Sequence, residues 1–155
     1  MSNVCCVPEE ELLQQSNAVT VLPALPAVAP PAADVEIRLG ILTVSDRASQ
    51  GVYTDESGPE IARCMQQFAA SNGTRWKLTV ARTAVVADEA EAIGCELRGW
   101  SEPAATGCAP CNLILTTGGT GLAPRDVTPE VTAALLDRPT PGIPELLLRE
   151  AIRHE

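Results

Sequence analysis

Three short polar clusters in this chain hold side chains suited to chemistry. The richest is Thr117-Gly118-Gly119-Thr120-Gly121. Three glycines in four residues remove Cβ atoms, let backbone N–H groups face outward, and so can cradle phosphate or another anion. Thr117 and Thr120 add hydroxyl donors. No Lys-Ser or Lys-Thr follows, so the segment is not a P-loop, and a structural tight turn is the competing reading. Arg125, Asp126 and the Thr128-Pro129 start of a helix come within ten residues of it. A guanidinium and a helix N-terminus both favour an anionic ligand. A carboxylate beside phosphates serves a hard cation such as Mg²⁺, which takes one or two carboxylates and keeps several waters. Asp126, Asp88 and Asp46 (preceded by Ser45) are therefore candidate metal or base positions. Each has a plain alternative: Asp88 caps a helix, Asp46 makes an Asx-turn, and Asp126 pairs with Arg125 or caps locally.

Alternating strand and helix signals must position these clusters. Val35 to Val44 is β-branched and mostly apolar, as a buried strand requires. Ser57-Gly58-Pro59-Glu60 has the spacing of a capping box, with Pro in the first turn. Ile61, Met65 and Phe68 then share one helical face, and Ser71-Asn72-Gly73 supplies a stop. Leu78 to Val86 reads as a second strand. Asp88-x-x-Glu91 opens a helix that places Ile93, Leu97 and Trp100 together. Ser101 to Pro110 reads as a loop of small residues, and Leu113 to Thr116 as a short apolar strand. Thr128 as N-cap and Pro129 as first helical residue start a helix through Leu135, and residues 144–153 are helical again. This alternation implies an α/β layer fold with a mainly parallel sheet. Ligands of such sheets bind beyond the carboxyl ends of the strands. Ser45-Asp46, Asp88 and the glycine-rich segment each follow a strand.

Composition narrows the partners. The 155 residues suit one domain, and 45% hydrophobic against 20% charged residues allow a core. Eleven basic against 20 acidic residues give a net charge of -9, which disfavours nucleic acid and anionic membrane. Residues 1–34 hold five of the 13 prolines, no Lys or Arg, and Glu9-Glu10-Glu11; they read as a disordered tail or linker ahead of a domain at 35–155. Ala18 to Ala33 is interrupted by four prolines and too short to span a bilayer. Six cysteines without the density of a secreted scaffold, and no basic n-region, point to a reduced, cytoplasmic chain. Cys108-Ala109-Pro110-Cys111 lies in a loop without a second pair, and reads as incidental rather than as a redox or zinc module.

T-V-S-D at 43–46, D-x-S-G-P at 55–59 and T-G-G-T-G-x-x-P-R-D-V-T-P-E at 117–130 resemble the MogA/MoaB molybdopterin-binding family, which includes the gephyrin G domain. The resemblance runs from about Glu36 to Ile152. It implies a three-layer α/β/α sandwich, a homotrimer when complete, and a MoeA-like molybdate-insertion partner. It also implies an enzyme that uses Mg²⁺ and ATP to transfer AMP onto the terminal phosphate of molybdopterin, releasing pyrophosphate. By that resemblance Ser45 and Asp46 line the site near the transferred group, and Asp88 is the functional carboxylate after the second strand. Thr117, Gly118, Gly119, Thr120 and Gly121 hold phosphate and pterin. Asp126, with Asp88, serves Mg²⁺ and ATP. Ala87 replaces a proline frequent in the family, and Ala151 a serine associated with molybdopterin binding. Family members continue beyond the position of Glu155, so the resemblance implies the front portion of the family fold, with the C-terminal part missing and little turnover. A non-catalytic molybdopterin-binding or scaffold relative is the alternative.

Overall fold

A computed structural model describes residues 34–71, 75–103 and 108–153, all within the compact unit Ala32–Glu155. The proline-rich tail, the Asn72-Gly73 stop, residues 104–107 of the small-residue loop and His154 lie outside the described residues. Strands β1 (Val35–Val44), β2 (Trp76–Val86) and β3 (Leu113–Thr117) alternate with helices α1 (Asp46–Ser49), α2 (Ser57–Ser71), α3 (Ala90–Ser101), α4 (Thr128–Leu135) and α5 (Gly142–Arg153). The strands form one parallel sheet in the order β2-β1-β3. The α/β class with a parallel sheet flanked by helices is as expected.

Strand β1 is central, and its two faces fill two cores. Ile37, Leu39 and Ile41 point to one side, where Ile61, Ala62 and Met65 of α2 cover them. Leu42 and Val44 point to the other side, with Ile93, Leu97 and Trp100 of α3 and with Val127, Val131 and Leu135 around α4. Strict alternation along one strand between two helical layers is what makes its sequence continuously apolar. Phe68 departs from the expected helical face: it is 47% exposed and stacks edge-on against Trp76, with centroids 5.4 Å apart.

Strand β2 holds a register break. Leu39 pairs with Val80, but Gly40 pairs with Arg82, so Ala81 is an extra residue. The bulge turns the strand over. Leu78 and Val80 join the α2-side core, whereas Ala84 and Val86 join the α3-side core. Thr83 and Val85 are left exposed on the α2 side of the sheet.

Helix starts differ in detail from the capping patterns of the sequence. Asp55, not Ser57, caps α2: its Oδ1 accepts from the N–H groups of Ser57 at 3.0 Å and Gly58 at 3.2 Å. Glu60 is drawn instead to Arg63 one turn on. Helix α3 follows Glu89, which makes no side-chain cap, because the Asp88 carboxylate is engaged elsewhere. Thr128 is the first helical residue of α4 rather than its cap, and Pro129 follows inside the first turn.

Candidate functional site

The loops after β1 and β3 diverge, one toward α2 and the other toward α4 on the opposite face of the sheet. Such a divergence opens a crevice at the carboxyl edge of a parallel sheet. A cleft of about 440 Å³ lies there, lined by Thr43 to Ser45, Tyr53 to Ser57, Thr117 and Gly118. It shares Thr43, Thr54 and Asp55 with a second cleft of about 450 Å³, floored by Ile41, Thr83 and Val85 and walled by Pro59 and Ala62. The bulge in β2 exposes that floor.

Backbone geometry shapes the glycine-rich segment. Gly118 has φ 86° and Gly119 φ 58°, both in the region that side chains rarely adopt. Space excludes a side chain as well. A Cβ on Gly118 would run into the Val44 carbonyl, and one on Gly119 would meet the Thr128 hydroxyl and come within 2.9 Å of Asp88 Oδ1. The loop therefore lies against the end of β1. Among the described residues, the N–H groups of Gly119 and Thr120 have no acceptor. Thr128 is 2% exposed, its N–H donates to the Gly119 carbonyl at 3.1 Å, and its buried Oγ1 has no partner. Unpaired donors around a cradle without Cβ atoms suit an anion.

Two of the three candidate carboxylates are held together. Asp46 N–H donates to Asp88 Oδ2 at 2.7 Å, and Asp88 N–H donates to Asp46 Oδ1 at 3.0 Å. The pairing of Val44 with Val86 brings the two strand ends side by side, and Ser45 N–H donates to the Val86 carbonyl at 2.8 Å. Asp88 is thus no helix cap. Arg125 grips Asp46 with two bonds, Nε to Oδ2 at 2.7 Å and Nη2 to Oδ1 at 2.9 Å. That grip, aided by the Asp88 N–H, holds the Asp46 carboxyl below the usual aspartate range. The same contact raises the Arg125 guanidinium further.

Asp126 stands apart from this pair. Its Oδ2 accepts from Ala123 N–H at 3.2 Å, its own N–H donates to the Ala123 carbonyl at 2.9 Å, and a Cβ on Gly121 would crowd its Oδ2 at 2.6 Å. Local capping is the alternative that Asp126 follows, and Arg125 is paired with Asp46 rather than with it. Ser45 Oγ accepts from Ala48 N–H at 3.2 Å, closing the short helix α1, and lies 2.7 Å from the Tyr53 hydroxyl. The Arg47 guanidinium sits 5.2 Å from the centre of the Tyr53 ring. No three His, Cys, Asp or Glu side chains among the described residues form a ready-made metal cluster.

The sequence alone assigns no role to three residues of this site, although Thr43 and Asp55 lie within the T-V-S-D and D-x-S-G-P motifs. Tyr53 is an isolated aromatic, and Thr43 is one polar residue in an apolar strand. Asp55 Oδ1 accepts from the helix N–H groups while Oδ2 accepts from Thr43 Oγ1 at 2.9 Å; its signal is the spacing of Asp55 before Ser57-Gly58. The Cys108–Cys111 pair has no part here. Cys108 is exposed, and Cys111 is buried against the α3-side core, where burial pushes its thiol pKa up and away from thiolate chemistry.

Comparison with known proteins is consistent across sequence and structure. Residues 40–155 match the family described as "Probable molybdopterin binding domain". The chain is similar to Gephyrin of Dictyostelium discoideum, with 41% identity over 116 residues that cover 74% of this chain and 15% of that protein. It is 38% identical over 109 residues to the Molybdopterin adenylyltransferase of Haemophilus influenzae, covering 70% of this chain and 50% of that one. The crystal structure of the molybdopterin biosynthesis enzyme MoaB from Thermus thermophilus superposes with a TM-score of 0.55 at 42% identity, covering 71% of this chain and 61% of that chain. The chain spans about half the length of the Haemophilus relative.

Proposed function

The chain belongs to the molybdopterin-binding domain family of molybdenum cofactor biosynthesis, and from that premise we propose that it is a molybdopterin adenylyltransferase. The reaction joins two polyanions: a terminal phosphate oxygen of molybdopterin attacks the α-phosphorus of ATP, and pyrophosphate leaves. The observation that carries the reading is the meeting of the N–H cradle at Gly119-Thr120 with the linked carboxylates of Asp46 and Asp88. Such a transfer needs alignment and charge neutralisation rather than a covalent nucleophile.

Each residue then has a task. Gly118, Gly119, Thr120 and Gly121 present backbone N–H groups to phosphate, and Thr117 adds a hydroxyl at the cleft edge. Ser45 holds α1 in place and, with Tyr53, offers hydroxyls to the ligand. The Thr83 and Val85 floor is open enough for a planar ring. Asp88 and Asp126 each keep one oxygen outside the hydrogen bonds described above, which fits a cation that accepts one or two carboxylates beside phosphate oxygens and water. Asp88 would hold Mg²⁺, which neutralises phosphate charge when bound, and Asp126 would join it on leaving its local cap at Ala123. A homotrimer and a MoeA-like molybdate-insertion partner belong to the same proposal.

The test is ³¹P NMR of this chain with molybdopterin, Mg²⁺ and ATP. Pyrophosphate and an adenylylated pterin are expected, and Asp88→Asn is expected to lower the rate by about 10²-fold or more, as loss of one preorganised electrostatic group does. Molybdopterin binding with no AMP transfer would leave a binding domain and overturn the transferase reading.

A further inference from the structure

Arg125 follows the glycine-rich loop by four residues, and its Nε/Nη2 edge is engaged by Asp46 rather than turned toward a ligand. We propose that Arg125 is an exchangeable counter-ion: it pairs with Asp46 and moves to the phosphate of the anionic substrate when that substrate sits on Gly119-Thr120. This deepens the functional reading and rests on it for the class of ligand.

Three observations support the exchange. The pair is accessible, with side-chain exposures of 60% for Arg125 and 29% for Asp46, so solvent screening keeps it weak and breakable. A phosphate offers the same fork geometry as a carboxylate, with more charge. Carboxylates of Asp46, Asp88 and Glu89 all act on Arg125, and without a cation among them they would repel a phosphate entering the cradle. The resting pair thus stores a guanidinium at the loop and masks the Asp46 carboxylate. Moving it to the ligand neutralises phosphate and releases Asp46 in one step. Arg125 touches the ligand only in the second state.

The exchange predicts a definite non-additivity in metal-free calorimetric titration with inorganic pyrophosphate. Asp46→Asn should tighten binding by about tenfold, because Arg125 no longer has a competing carboxylate, and Arg125→Gln should weaken it by about tenfold. In the double variant the gain from Asp46→Asn should shrink to less than about twofold over Arg125→Gln, since coupled residues do not add. The ¹⁵N resonance of Arg125 Nε in the unaltered chain should shift on adding pyrophosphate, a readout that does not depend on any variant folding. An equal gain from Asp46→Asn in both backgrounds means a plain field effect and overturns the exchange. So does binding indifferent to Arg125→Gln, and either result leaves the transferase reading standing. No pyrophosphate binding by any variant also overturns the exchange; whether the functional reading falls with it is read separately from AMP transfer to molybdopterin.

Discussion

Asp46 is a carboxylate that would ordinarily be unremarkable, near a helix start and partly open to water. Two neighbours change it: Arg125 holds both of its oxygens, and the Asp88 N–H holds one. Both contacts favour the ionised form, so its folded pKa lies below the ordinary value of 3.8. The sign follows directly. A carboxyl with a depressed folded pKa contributes stability above its unfolded pKa, and that contribution is lost as pH falls through the folded value. ¹³C NMR titration should therefore find the Asp46 midpoint below 3.8, and Arg125→Gln should raise it, but not fully, because the Asp88 N–H remains. A midpoint unmoved by Arg125→Gln would remove the ion pair from the account. Asp46 and Asp88 were legible as candidates because each follows an apolar strand. Their mutual bonds were not, since these depend on register between strands 42 residues apart. Arg125 shows the same limit: chain proximity suggested Asp126, and the fold supplies Asp46 at a separation of 79 residues.

At the scale of elements, periodicity located every strand and helix of the described residues to within a few positions except the four-residue α1, because apolar runs and turn residues are local signals. What it missed are features decided by packing between elements. The even-numbered positions of β2 look like one face, yet the bulge at Ala81 sends Leu78 and Val80 one way and Ala84 and Val86 the other. The start of α2 is a second case. One carboxylate, Asp55, caps two helix N–H groups and anchors the buried Thr43 hydroxyl. Gly58 permits this closeness, as a Cβ there would come within 2.5 Å of Asp55 Oδ2. Losing an N-cap acceptor costs about 1 kcal/mol, and up to 2, and stranding the Thr43 hydroxyl adds about 1 more. Urea unfolding of Asp55→Ala should show a loss of about 2–3 kcal/mol on those two terms, with Asp55→Asn recovering most of it. Equal losses for both variants would mean that charge, not the capping oxygen, is what matters.

Taken as a whole, the described part of the molecule has one well-covered strand and two edges. Only β1 has partners on both sides; β2 and β3 each pair once, and every residue of β3 is only half-buried. Helix α5 adds Ile143, Leu146, Leu147, Leu148 and Ile152 to the surface, with Leu147 at 66% exposure and Leu148 at 65%. A Leu or Ile side chain contributes roughly 1.5–3 kcal/mol when fully buried, so an apolar helix face left in water is a strong incentive to associate. Contiguous apolar surface and an unpaired strand edge are the two features that monomeric proteins most consistently avoid. Sedimentation velocity should therefore find association that rises with concentration. Leu147→Glu with Leu148→Glu should shift it toward the monomer while changing unfolding free energy by no more than about 0.5 kcal/mol, as expected for exposed positions. A chain that stays monomeric at every concentration would show that this face is covered from within, and the same two glutamates would then destabilise the fold instead.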